Sequence, residues 1–143
     1  MKSNHTLRLA AAAALCIGSA GAYAQVAAVV NPKSPLASMT ADQVSGIFLG
    51  KSNTLPTGAT AAPTDLPDTA PARELFYTKV TGKSTAQVKA AWSRLVFSGK
   101  ATPPKELASS ADVKKFVASN PDAIGYIEKS AVDSSVKVVF SAD

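Results

Sequence analysis

Apolar and polar positions along the chain fall into short blocks with distinct spacings. Residues 25–30, QVAAVV, are a continuous apolar run rich in Val and closed by Asn31-Pro32, which predicts a buried strand. Residues 31–39 hold two prolines and read as a loop. Thr40 with Gln43 three residues later fits a capping box. Val44, Ile47 and Phe48 then recur at helical spacing up to Gly50, with Met39 placed as a hydrophobic staple. Gly58 to Asp65 predicts a weak strand, and Pro63 argues for an edge position or an early end. Arg73 to Val80 predicts a helix with Leu75, Phe76 and Val80 on one stripe, terminated by Gly82.

The second half continues the pattern. Ser84 and Gln87 form another capping box, and Val88, Ala91, Trp92, Leu95 and Val96 follow at spacings of three and four. Gly99 stops that helix, and Pro103-Pro104 stiffens the connector behind it. A third helix starts at Ser109, turns Val113, Phe116 and Val117 inward, and ends at Asn120-Pro121. Residues 123–127 and 136–140 predict two closing strands. Strands interleaved with helices, without internal repeats, imply an α/β fold: a mixed sheet flanked by helices, in one domain over residues 25–143. Trp92 and Phe97 sit on predicted apolar faces and read as core residues.

Composition changes the picture at the N-terminus. Lys2 and Arg8 precede an apolar run between Leu9 and Ala20, and Ala22-Tyr23-Ala24 is an A-x-A cleavage site. That order predicts a secretory signal peptide over residues 1–24, cleaved on export from the cytoplasm. The run falls short of the roughly 20 apolar residues a spanning helix needs. Loss of residues 1–24 removes the single His (His5) and the single Cys (Cys16), and leaves 13 basic against 10 acidic residues. No Ser-His pair, thiolate nucleophile or His/Cys zinc site is then available, so no metal or cofactor is expected. The basic residues are scattered, which argues against nucleic acid as a partner.

Three features invite a chemical reading. Asp65 and Asp68 are a carboxylate pair, but in a proline-rich loop they read as turn and cap formers, and the chain is not expected to be an enzyme. Gly50-Lys51 and Gly99-Lys100 lack the spacing of a phosphate-binding P-loop and read as helix terminators. The loop before Arg73 enters a helix after a strand, a place where backbone N–H groups favour an anion.

Four stretches together carry a resemblance: LASMTADQVSGIFLGK (36–51), PARELFYTKVTGKS (71–84), RLVFSGKATPPKE (94–106) and VASNPDAIGYI (117–127). The chain from about Val26 to Val139 resembles the phosphate-binding component of bacterial ABC importers, the type 2 periplasmic binding proteins. The resemblance implies one α/β lobe of a two-lobed binding protein and a short, single-lobe relative. It places an anion site at Asp65, Thr69, Ala72 and Arg73. It also implies phosphate or another small oxyanion as ligand and the importer's membrane subunits as partners. The face a second lobe would cover suggests a homodimer. The family carries Ser-Gly-Thr immediately before the Arg, whereas this chain has Ala70, Pro71 and Ala72, so two hydroxyls and one N–H are missing. Two readings therefore stay open: a solute-binding protein with weakened or altered anion binding, and a protein-interaction module derived from a binding-protein lobe. Arg73 is the cation of the first reading; its alternative role is a first-turn surface residue paired with Asp68 or a neighbour.

Overall fold

Val26–Val30 forms strand β1, and all five of its residues are buried. An apolar run without alternation demands this, because both faces of its sheet must be covered. The computed structural model describes residues 25–142, so the expected signal peptide of residues 1–24 lies outside the described residues. The other elements follow in order: α1 (Ala41–Phe48), β2 (Ala62–Asp65), α2 (Pro71–Phe76) with a π-helical continuation over Tyr77–Thr81, and α3 (Thr85–Phe97). Then come β3 (Lys105–Glu106), α4 (Ser110–Ser119), β4 (Ala123–Glu128), a 3-10 turn (Lys129–Ala131) and β5 (Lys137–Ala142).

The five strands form one mixed sheet in the order β3-β2-β4-β1-β5. β1 runs antiparallel to both neighbours, pairing Ala28 with Tyr126 of β4 and with Phe140 of β5. β2 runs parallel to β3 and β4. The fold is the α/β arrangement expected from the order of elements. Among the described residues no helix is long and apolar enough to cross a membrane.

The caps form as the sequence dictates. Thr40 Oγ1 accepts from the Gln43 N–H while Gln43 Oε1 accepts from the Thr40 N–H, and Ser84 and Gln87 repeat the exchange at the start of α3. Asn31 does more than end β1: its Nδ2 donates to the Val117 and Ala118 carbonyls at 3.0 Å, binding the end of α4 to the sheet. Gly125 is required by a close approach. A Cβ there would lie 2.5 Å from Thr64 Oγ1 and 2.6 Å from Val113 Cγ1, so only glycine lets α4 and β2 meet β4 at this point.

Several expectations need correction. β2 is not an edge strand, since β3 covers its outer side. Pro63 is tolerated because the Ala62 N–H donates to the Asp122 carbonyl at 2.9 Å, on the β4 side. The missing N–H of Pro63 therefore faces the other way, where β3 pairs only with Thr64 and Asp65. The helix expected to begin at Arg73 starts at Pro71, which suits the first helical position because no N–H is needed there. It then widens to a π turn at Tyr77, where the Thr81 hydroxyl donates to the Tyr77 carbonyl at 2.5 Å. Trp92 is core as expected, its Nε1 donating to the Phe48 carbonyl at 2.8 Å and joining α3 to α1. Phe97 is not core: it is 97% exposed, beside Val96 at 49%. It is the last residue of α3, one position beyond the stripe that ends at Leu95 and Val96, and no element lies over it.

Candidate functional site

β2 delivers Asp65 to the C-terminal edge of the sheet, and the loop 66–70 returns the chain into α2. The core beneath is aromatic. Phe76 stacks on Tyr126 with ring centroids 4.1 Å apart and planes 3° apart, and Phe48 meets Phe76 edge-on at 4.8 Å. This packing fixes the two tyrosines whose hydroxyls converge on Asp65. Tyr77 Oη donates to Asp65 Oδ2 at 2.7 Å, Tyr126 Oη donates to Oδ1, and the Leu66 N–H donates to Oδ1 at 2.8 Å. Three donors explain how a carboxylate stays buried here.

Arg73 is also buried, with 8% of its surface exposed. Its Nη1 donates to the Leu66 carbonyl at 3.2 Å and lies 3.1 Å from Asp68 Oδ1 and 3.8 Å from Asp65 Oδ2. The guanidinium carbon stands 5.4 Å from the Tyr77 ring centroid, within cation–π range. Nε is buried without a partner. Asp68 rises from the exposed loop, its side chain 63% exposed, and Lys89 Nζ approaches its other oxygen at 3.8 Å.

Of the residues expected to hold an anion, Asp65 and Arg73 come together. Thr69 is exposed and makes no hydrogen bond among the described residues. Ala72 is buried in the core, 2% exposed. The Arg73 N–H is already spent on the Ala70 carbonyl at 3.0 Å, and Ala70, at the N-cap, supplies no side-chain cap. An open cleft of about 560 Å³ lies over the network, bordered by Asp65, Asp68, Arg73, Lys89, Phe97 and Glu106 among others. Its rim carries three carboxylates against two cations, so its field does not attract anions as a bare guanidinium would.

Burial holds both tyrosine hydroxyls well above their ordinary pKa, and the adjacent Asp65 carboxylate adds to the effect by its charge and by accepting their hydrogen bonds. They remain neutral donors throughout the physiological range. No group of three or more His, Cys, Asp or Glu side chains that could hold a metal occurs among the described residues.

With this geometry in place, solved structures give a close match in fold. A protein described as a phosphate ABC transporter substrate-binding protein, from Clostridium perfringens with phosphate bound, aligns at a TM-score of 0.66 and 24% identity, over 81% of this chain and 45% of that one. An ABC-type phosphate transport receptor from Vibrio cholerae aligns at 0.64 and 21%, over 81% and 47%. PstS from Borrelia burgdorferi aligns at 0.61 and 12%, over 81% and 47%. The fold is that of one lobe of a phosphate-type substrate-binding protein. The lobe spans less than half the length of each of these structures. No family model and no curated protein matches the chain.

Sequence reasoning missed the donors to Asp65 in this candidate site. Tyr126 is 61 residues from Asp65 along the chain, and Tyr77 is 12 residues away. Their one legible signal is position: Tyr126 follows Gly125 in a predicted strand, and Tyr77 follows Phe76 on a predicted helix. Neither fact states which carboxylate they reach. The pairing of Arg73 with Asp68, one of the two readings of that arginine, is present, but on a buried guanidinium rather than a surface one.

Proposed function

We propose that the chain is a solute-binding lobe working outside the cytoplasm, and that it takes a small oxyanion weakly at Arg73 in exchange for Asp68. The observation that carries this reading is a buried guanidinium at the floor of an open cleft, held by a carboxylate from an exposed loop. Asp68 occupies the place an oxyanion would take. The Thr69 hydroxyl and the main chain at Ala72 border the same turn and supply the remaining donors. Asp65 supports the arginine from below and is already saturated with donors, so it does not receive the ligand's proton.

Because the competitor is tethered, it acts at an effective concentration in the millimolar range or above, and binding to the unaltered chain is correspondingly weak. Titration calorimetry at low salt should give a phosphate Kd of roughly millimolar for the chain as it stands, and at least about tenfold tighter binding for Asp68→Asn. Absence of heat with both phosphate and sulfate, in both proteins, ends the proposal. The resemblance names an importer's membrane subunits as the lobe's onward partners on this reading.

A second reading rests on Phe97, 97% exposed at the rim of the same cleft. Phe97 shares that rim with Val96, Pro103 and Pro104, and it is contiguous exposed apolar area that marks a contact surface. Here the partner is a second copy of the lobe, closing over the cleft. Sedimentation velocity at two concentrations should show a dimer that Phe97→Ser abolishes. A monomer at both concentrations eliminates it.

A further inference from the structure

The two Gly-Lys pairs, unrelated in sequence position, end up at one cavity. Gly50 closes α1 with φ 74° and Gly99 closes α3 with φ 69°, left-handed values that glycine adopts without strain. Lys51 and Lys100 follow directly, and both line a cavity of about 720 Å³ between the two helix ends. Asn53, Thr60 and Thr102 line it as well, and no carboxylate does. This contrasts with the cleft over Arg73, where carboxylates outnumber cations.

The local backbone leaves both lysine heads available. Helix C-termini ordinarily attract lysine because their last carbonyls are unsatisfied. Here main-chain donors meet them: Gly50 N–H reaches the Ile47 carbonyl, Lys51 and Ser52 N–H reach Gly46, Gly99 N–H reaches Val96 and Lys100 N–H reaches Leu95. Neither lysine makes an ion pair among the described residues. The side chains of Asn53, Thr60 and Thr102 make no hydrogen bond among them either. Trp92, Ile47 and Ala61 give the cavity an apolar part of its lining. Two cations, three uncommitted polar groups and this apolar part suit one ligand chemistry: a compact carbon body bearing a charged ester.

We propose that this cavity is a second binding site, separate from Arg73, for a small organic phosphomonoester. Its volume falls in the range of small-molecule pockets, about 300–1,000 Å³, and exceeds what a lone oxyanion fills. The lysines bind the ester, the hydroxyl and amide groups orient the body, and the Trp92 side supplies apolar contact.

Trp92 is the single tryptophan of the chain and borders both this cavity and the cleft over Arg73, so its fluorescence reports a ligand in either, and loss of the response in Lys51→Ala/Lys100→Ala assigns it to this cavity. Glucose 6-phosphate is the probe, with glucose and inorganic phosphate as controls, followed by fluorescence and by heat. The expected result is a saturable response to glucose 6-phosphate, none to glucose, and at least about tenfold weaker binding of inorganic phosphate. The double variant Lys51→Ala/Lys100→Ala should weaken the ester at least about tenfold. A matched variant, Lys33→Ala/Lys115→Ala, removes the same charge from exposed positions outside the cavity and should change little. No response by either readout at about 10 mM ester overturns the proposal at the upper end of ordinary small-ligand affinity. So does an undiminished response in the Lys51/Lys100 variant, or equal affinity for glucose or for inorganic phosphate. The gain of phosphate binding expected on Asp68→Asn reports on Arg73 alone, so either site stands or falls without the other.

Discussion

Replacing Asp65 with alanine should destabilise the lobe by about 3–5 kcal/mol, the range for removing one partner from a buried charged network. The loss has three parts. Tyr77 Oη, Tyr126 Oη and the Leu66 N–H lose their common acceptor, and each buried donor left unmade costs roughly 1–3 kcal/mol before relaxation. Of its two carboxylate partners Arg73 keeps only Asp68, which sits on an exposed loop. The end of β2 also loses the group that joins it to β4 and to the helix after Phe76. These parts overlap, since water can enter the cleft and satisfy some of the donors, so the whole falls below their sum. In urea, with a slope of roughly 1–3 kcal/mol per molar, the midpoint should drop by about 2 M. Arg73→Met should cost less, because Asp65 retains three hydrogen-bond donors and Asp68 is exposed to water and near Lys89. If Asp65→Ala shifts stability by under about 1 kcal/mol, or by less than Arg73→Met, the carboxylate is not the keystone of this corner.

Alkaline pH should weaken the lobe steeply. Tyr77 and Tyr126 are held well above the ordinary tyrosine pKa, chiefly by burial and then by the Asp65 charge. In the unfolded chain both ionise near pH 10, whereas in the folded lobe both stay protonated. The stability they contribute is therefore complete below about pH 10 and is lost as pH climbs above it, because only the unfolded state releases the protons. Each tyrosine removes about 1.4 kcal/mol per pH unit in that window, so the pair removes about 2.7. Urea midpoints measured from about pH 9 to about pH 12 should follow that slope, with tyrosinate absorbance appearing only as the lobe unfolds. Tyr77→Phe should halve the slope. Asp65→Ala should leave most of it, since burial is the first cause. A flat profile, or tyrosinate absorbance in the folded lobe near pH 10, contradicts the assigned environment.

How far the sequence carries depends on the range of the interaction concerned. Met39, Thr40 and Gln43 announce α1 because the cap and its staple act within a few residues, and burial of Met39 confirms that staple position as apolar core. β3 left no trace, since two exposed residues, Lys105 and Glu106, become a strand only because Asp65 and Thr64 lie beside them. Phe97 misled because helical spacing states which residues share a face, not whether anything covers the face at its last turn. The candidate site was legible in its place, the turn before α2, and in Arg73 itself. Its chemistry was not, because the charge of that turn depends on where Asp68 folds back and on two tyrosines brought from elsewhere.

By itself the sequence determined the α/β order of elements, both capping boxes, and the glycine stops at Gly50, Gly82 and Gly99. All of these rest on contacts spanning about four residues, whose energetics travel with the local chain. Tertiary structure alone decided that Asp65 is saturated by Tyr77 and Tyr126, that Arg73 is buried against Asp68, and that Lys51 and Lys100 share a cavity. Those outcomes depend on which strand lies beside which. Burial then strengthens each charge contact that packing has created, and a sequence pattern carries neither the neighbour nor the depth.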